Sequence, residues 1–194
     1  MRTTLINRQT AETKISAGLL IDGTGKSQIA TGIGFFDHML ILFTKHGLFD
    51  LELTVDGDLH IDGHHTVEDA AIVLGQAFAK ALGDKSGIKR YGTAFVPMDE
   101  ALIMVSLDIS GRPFLAFDVD IPAERIGNFD SELTEEFLRA LAVHAGLTLH
   151  VKMLAGKNAH HIVEGVFKAL GRALDEATRK DERIIGVMST KGML

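Results

Sequence analysis

Apolar and polar positions follow two rhythms along this chain, and the succession of rhythms occurs twice. In LFDLELTV (48–55) and LTLHVKML (147–154) apolar residues alternate with polar ones, the pattern of a half-buried strand. GFFDHMLILFTKHG instead places Met39, Leu40, Leu42 and Phe43 at helical spacing, which predicts a helix N-capped by Asp37. SELTEEFLRALAVHAG carries Phe137, Leu138, Leu141 and Ala142 at matching positions. Ahead of each helix the pattern predicts paired strands. ISAGLLIDGTGKSQIATG reads as a hairpin about Asp22-Gly23, and ALIMVSLDISGRPFLAFDVDI as a hairpin about Gly111-Arg112-Pro113.

The last element of each half settles the relation between them. HHTVEDAAIVLGQA (64–77) and HHIVEGVFKALGRA (160–173) align without a gap, and seven of the fourteen columns are identical. Unrelated helices rarely agree so well, which indicates an internal duplication. The predicted unit is strands, helix, strand, helix, made twice, with the seam near DKSGIKRYG (84–92) and repeats of approximately 1–88 and 89–194 in a single domain. The fold class is therefore α+β, with two sheets that each carry helices on one face and pack through those helices.

Composition narrows the function. Hydrophobic residues make up 46% of 194, ample for a core, and the absence of cysteine excludes disulfides and thiolate metal sites. A formal charge of −6 argues against a nucleic-acid binder, which needs a basic face. No apolar run approaches the roughly 20 residues of a bilayer span, and MRTTLINRQT lacks the apolar stretch of a signal peptide. A cytoplasmic protein without nucleic-acid or membrane partners is expected.

The candidate chemistry lies in the doubled His-His-x-x-Glu. On a helix, His64 and Glu68, or His160 and Glu164, share a face at i and i+4. Adjacent residues diverge by about 100° around the axis, so His64 and His65, or His160 and His161, cannot comfortably share one ion. Each histidine of a pair then serves a different metal. Four imidazoles and two carboxylates divide evenly between two ions. Setting His46 against His144 puts His38 against Glu136, so each first helix could add one ligand. Mixed nitrogen and oxygen donors with open positions suit manganese, iron, cobalt or nickel better than a closed zinc site. Taken alone, a single His-His pair is most often surface chemistry, and a glutamate in a first helical turn serves the helix dipole; the repetition favours metal. His46 and His144 lie near helix ends, where an imidazolium can satisfy the dipole. His150, on a strand, could support a ligand or stand in for Glu136, as could His144. His60 lies in a turn-like segment and carries no expectation.

The segments TGIGFFDHML, HGLFDL, GDLHIDGHHTVEDAAIVLGQA, DEAL, SGRPFL, TLH, NAHHIVEGVFKALGRAL and STKGML resemble, in order and over essentially the whole chain, imidazoleglycerol-phosphate dehydratase of histidine biosynthesis. The resemblance implies a ribosomal protein S5 domain 2-like fold and a lyase using two Mn²⁺ per subunit. Its reaction dehydrates D-erythro-imidazole-glycerol phosphate to imidazole-acetol phosphate. It further implies a homo-oligomer, a 24-mer with active sites shared between subunits. Carried over, the metal ligands are His38, His64, His65, Glu68, His160, His161 and Glu164. Several relatives have histidine where this chain has Glu136, which remains a candidate ligand because a carboxylate also binds manganese.

Substrate residues carried over include His38, His64, Glu68 and His160 beside the metals, with Glu12 and His46 as acid–base groups and His65 and His161 in the catalytic set. For the phosphate, the resemblance points to Arg90, Arg112, Lys168, Ser189, Thr190 and Lys191; either arginine without it would read as ordinary surface. Lys168 has its own signal, since it replaces Ile72 in the repeat and lies four residues after Glu164. Two other functions share the motif: a dinuclear metallohydrolase acting on a phosphorylated small molecule, and a non-catalytic metal-binding shell protein.

Overall fold

Alternation decides which face of each sheet is covered. The computed structural model describes residues 1–194. In it, β2 (Thr13–Leu20) buries Ile15, Ala17 and Leu19, and β4 (Asp50–Gly57) buries Leu51, Leu53 and Val55. With β1 (Thr3–Gln9) and β3 (Ser27–Ala30) they form a sheet of order β1-β2-β4-β3. The second half builds the same order from β5 (Tyr91–Met98), β6 (Ala101–Asp108), β10 (Thr148–Ala155) and β7 (Phe114–Asp118), as β5-β6-β10-β7. Only that half adds a short ribbon, β8 (Arg125–Ile126) with β9 (Phe129–Asp130).

Four helices lie between the sheets: α1 (Gly34–Gly47), α2 (His64–Leu82), α3 (Leu133–Ala145) and α4 (Ala159–Thr178). Helix α2 covers β1, β2 and β4, while α4 covers β5 and β6. Across the middle, α1 packs on α4 and α2 on α3, so each half meets the other through its helices as expected. A single cluster of 49 buried apolar residues spans both halves. Its centre is aromatic: Phe36, Phe137 and Phe167 come from α1, α3 and α4, with Phe137 and Phe167 centroids 5.0 Å apart.

The Leu-Gly pair shared by the repeats explains the close crossings. A Cβ on Gly75 would stand 2.7 Å from His144 Cβ, and one on Gly171 would strike the Phe43 carbonyl oxygen. Glycine therefore lets α2 approach α3, and α4 approach α1, at backbone distance.

Three local expectations are corrected. The strands flanking Asp22-Gly23 are not a hairpin, because β4 lies between β2 and β3, antiparallel to one and parallel to the other. Gly23 is required for another reason: a Cβ there would run into the Asp50 backbone nitrogen. The segment is pinned by Asp50, whose Oδ1 accepts from the Thr24 and Lys26 amides at 2.8 and 2.9 Å. The same holds around Gly111-Arg112-Pro113, where β10 separates β6 from β7. There the Gly111 amide donates to the Gly146 carbonyl at 2.9 Å, and Ser110 Oγ lies 3.0 Å from Thr148 Oγ1. Finally, Asp37 is not the N-cap of α1, which starts at Gly34 after Ile33. Its carboxylate, inside the first turn, accepts from the Thr31 amide at 2.9 Å and hydroxyl at 2.6 Å, fastening the incoming loop instead.

Overpacking a close helix crossing typically costs about 1–3 kcal/mol. Gly171→Ala and Gly75→Ala should each lower stability by about that amount in denaturant unfolding. Gly34→Ala, where a Cβ meets nothing within 4 Å, should be neutral or slightly stabilising.

Candidate metal centre and substrate site

Both His-His motifs open a helix, and a polar residue ahead of each organises the opening. Asn158 caps α4 by accepting from the His160 amide at 2.9 Å and the His161 amide at 3.3 Å. At α2 the Asp62 carboxylate accepts from the His64 amide at 2.8 Å. Helical geometry then puts the first histidine of each pair over its glutamate. His64 Nε2 is 3.8 Å from Glu68 Oε2, and His160 Nε2 is 3.1 Å from Glu164 Oε2. The neighbouring rings diverge, with interplanar angles of 88° for His64 and His65 and 80° for His160 and His161.

The α1–α4 crossing adds a third donor. His38 Nε2 lies 3.7 Å from Glu164 Oε2, and the donor atoms of His38, His160 and Glu164 all fall within 4.8 Å of one another. Phe35 packs edge-on against the His160 ring at 5.1 Å. A first-half histidine thus meets the second-half motif. Two imidazoles and a carboxylate at that spacing fit a divalent cation that accepts mixed ligation. The pseudo-equivalent set is less complete. Glu136 sits on α3, which packs on α2, yet it joins no group of three with His64 and Glu68. His144 stands against Gly75, and His150 is on β10 beside Phe114.

Glu164 is nearly buried and its two oxygens are divided. Oε2 faces the imidazoles while Oε1 takes the Lys168 ammonium at 2.5 Å. Burial raises its proton affinity, but Lys168 and His160 outweigh that and hold the carboxyl below its ordinary value. His46 shares this neighbourhood. Burial, then the positive charges of Lys168 and Arg172, push its imidazole below the usual value.

The second histidine of each pair faces elsewhere. His65 Nδ1 meets Asp58 Oδ2 at 3.0 Å, while Glu12 Oε1 lies 3.7 Å from its Nε2. His161 Nδ1 meets Glu100 Oε2 at 2.8 Å. The hydrogen bond to Asp58 raises the proton affinity of His65, and that to Glu100 raises His161. Glu100 in turn is pushed down to about 2 by His161 and by backbone amides.

Of the candidate phosphate residues, Lys168 stands at the Glu164 cluster, and the others lie elsewhere. Arg90 forks onto Asp108, with Nε 2.7 Å from Oδ1 and Nη2 3.0 Å from Oδ2, and Nη1 donates to the Met188 carbonyl at 2.7 Å. Arg112 approaches the same Asp108 at 3.7 Å but remains largely exposed. Arg90, Ser189 and Thr190 line an open cleft of about 1010 Å³, together with Lys89, Tyr91 and Arg183. Lys191 does not line it; its amide donates to Ser189 Oγ at 3.2 Å. No hydrogen bond or ion pair joins this cleft to the histidine clusters within one chain.

Sequence reasoning overlooked Asp58 and Glu100. Glu100 had a signal, because it occupies the turn before β6 as Glu12 occupies the turn before β2. Asp58 had none, because the corresponding residue after β10 is Gly156, which carries no side chain.

A duplicated α+β scaffold in which α2 and α4 both open on paired histidines defines a class of protein with a twofold-repeated candidate metal motif. The family model for imidazoleglycerol-phosphate dehydratase matches residues 31–174. A relative of that name from Acetivibrio thermocellus is 65% identical over 189 residues, 97% of each chain. Another, from Thermoanaerobacter pseudethanolicus, is 63% identical over the full length of both. The fold matches crystal structures of imidazoleglycerol-phosphate dehydratase from Staphylococcus aureus and of its Pyrococcus furiosus counterpart in complex with (S)-C348. Their TM-scores are 0.83 and 0.85, both at 41% identity, covering 92% and 97% of this chain and all of theirs. The chain belongs to the imidazoleglycerol-phosphate dehydratase family.

His46 gives a test with a definite sign. An imidazole depressed in the folded state binds its proton more weakly than in the unfolded chain, so acid favours unfolding. In chelator-treated protein, stability should fall as pH drops from about 6.5, the ordinary imidazole value, through the folded value. Denaturant titrations across that window should show the loss in the parent and a smaller one in His46→Asn.

Proposed function

We propose that this chain dehydrates D-erythro-imidazole-glycerol phosphate to imidazole-acetol phosphate in histidine biosynthesis, using two Mn²⁺ per subunit. We place it in the cytoplasm as a homo-oligomer, a 24-mer, built of one domain with repeats of about 1–88 and 89–194. No helix is long and apolar enough to cross a membrane.

One observation carries the metal assignment: His38, His160 and Glu164 converge from two halves of the chain while His65 and His161 turn their rings elsewhere. Such a division supports two ions, one set of ligands being completed by another subunit. His64, Glu68 and Glu136 are the remaining candidates for the second ion. Bound at these groups, divalent ions supply Lewis acidity toward the substrate's imidazole ring.

The chain's own residues handle protons and position. Dehydration removes a hydroxyl as water and a proton from the neighbouring carbon, and the resulting enol becomes the ketone. Glu12, half exposed and 3.7 Å from His65 Nε2, offers a carboxylate oxygen to carry that proton. His46, its proton affinity lowered by burial and then by the charge of Lys168, is the second proton carrier. Arg112, held only loosely by Asp108 at 3.7 Å, offers a largely exposed guanidinium for the phosphate. Arg90, committed to Asp108 and Met188, fixes the segment that presents Ser189, Thr190 and Lys191. Lys168 adds charge and holds Glu164 in place. Fixing the phosphate orients the ring, which is where positioning lowers the barrier.

Elemental analysis of Mn²⁺-loaded protein should approach two ions per subunit, with ketone formed from imidazole-glycerol phosphate. His65→Ala and His161→Ala should each abolish turnover. A ceiling of one ion, or release of inorganic phosphate without ketone, would overturn the proposal in favour of fewer sites or a hydrolase.

Cross-subunit ligation adds the free energy of metal binding to assembly. Chelation should therefore yield smaller oligomers by light scattering, and Mn²⁺ should restore the large one. An unchanged size after verified metal loss counts against shared ligands.

A further inference from the structure

Equivalent places in the two halves carry unequal partners. Glu12 and Glu100 both occupy the turn before the second strand of a β-hairpin, β1-β2 in one half and β5-β6 in the other. His65 and His161 are likewise equivalent in the repeat. A copied contact would run from each glutamate to the same atom of each histidine. It does not. Glu100 reaches Nδ1 of His161 at 2.8 Å, whereas Glu12 lies near Nε2 of His65 at 3.7 Å.

Nδ1 of His65 is taken instead by Asp58, at 3.0 Å. Asp58 follows β4, and the corresponding residue after β10 is Gly156, which has no side chain to offer. Two unrelated carboxylates therefore occupy the same ring nitrogen in the two halves. Duplication can copy a contact, but it does not make one contact twice from different places in the fold. The cost of each arrangement is also visible. Asp58 keeps its other oxygen buried without a partner, which is unfavourable unless the group serves a purpose. Glu100 is locked, its Oε1 accepting from the amides of Lys157 at 3.1 Å and Asn158 at 2.7 Å.

We infer that Asp58 and Glu100 are positioning residues that accept the Nδ1 proton of His65 and His161 and so turn each Nε2 lone pair outward as a metal donor. A hydrogen bond at one ring nitrogen selects the tautomer and leaves the other nitrogen to ligate. The inference rests on the proposed metal role of these histidines. It also accounts for the unequal fates of the duplicated glutamates. Because Asp58 orients His65, Glu12 is left unattached on the Nε2 side, and the two are kept together by the Asp58 amide, which donates to the Glu12 carbonyl at 3.1 Å.

Glu100→Gln tests this more sharply than removal. Its carbonyl oxygen can stay on the two backbone amides, which preserves the local structure and leaves an NH₂ facing His161 Nδ1. A donor there forces the ring proton onto Nε2. In the full-length, metal-free protein with ¹⁵N-labelled histidine, the neutral His161 ring should change from the Nδ1–H to the Nε2–H form, with unfolding in denaturant little altered. Titration with Mn²⁺, following the free ion by electron paramagnetic resonance, should show a loss of about 10–100-fold in affinity for one ion per subunit. Asp58→Asn is an independent variant at the other motif and should weaken Mn²⁺ binding likewise. Unchanged tautomer and affinity in both variants, with the parent binding two ions, would overturn the inference. A parent that binds no Mn²⁺ defeats the metal reading instead. In that case the ring-nitrogen spectra alone decide, and a parent His161 already in the Nε2–H form overturns the positioning role as well.

Discussion

The α1–α4 crossing is the constraint on which the site depends. Gly171 lets the two backbones meet where any side chain would strike the Phe43 carbonyl. At that distance the His38 ring, one end of α1, reaches the Glu164 carboxylate at the start of α4. Push the helices apart by the width of a methyl group and His38 no longer shares an ion-sized space with His160. Packing and ligation are thus one requirement. The apolar layer of Phe36, Phe137 and Phe167 behind the crossing fixes the approach, and close-packed interiors do not deform gradually.

Duplication supplies a symmetric frame, while an anionic, asymmetric substrate needs unequal ends. The differences between the repeats fall where this matters. Ile72 packs against the core in one half; its counterpart Lys168 pairs with Glu164 in the other. Asp69 is buried and takes Arg8 at 2.5 Å, with the Thr13 hydroxyl also donating to it, which ties α2 to the turn bearing Glu12. Its counterpart Gly165 has no room for a side chain, because a Cβ would sit 2.8 Å from Ile103 on β6. One half anchors its hairpin through a buried carboxylate. The other does so by close packing and by Glu100.

What could be read from the chain beforehand follows the range of each interaction. Strand alternation, the four helices and the facing of His160 with Glu164 are local, with periods of two or i,i+4, and they were legible. Strand order was not. Asp22-Gly23 and Gly111-Arg112-Pro113 carry turn chemistry, but Gly23 answers to a close contact with Asp50, and Gly111, at a left-handed φ of 71°, gives its amide to the Gly146 carbonyl. A turn signal states that the chain bends; it does not state which strand lies beside the bend. His38 was legible as a candidate, whereas its meeting with the second-half motif depends on helix packing alone. Asp58 was invisible for the same reason, since only the fold sets it against His65.

Charge explains why the histidine clusters can stand ready. Four imidazoles and several carboxylates in a chain of formal charge −6 need local compensation when no cation is bound. Two of the carboxylates near the motifs, Glu164 and Glu100, have it. Lys168 neutralises Glu164 through the oxygen that the imidazoles do not face, and backbone amides steady Glu100 through the oxygen that His161 does not use. In both cases one oxygen is satisfied by the protein and the other is turned toward a histidine. Compensation from behind keeps the donor side aimed while leaving it free to exchange a proton for a metal. Glu12 lacks such backing at its carboxylate, whose nearest charged neighbour is His65 Nε2 at 3.7 Å.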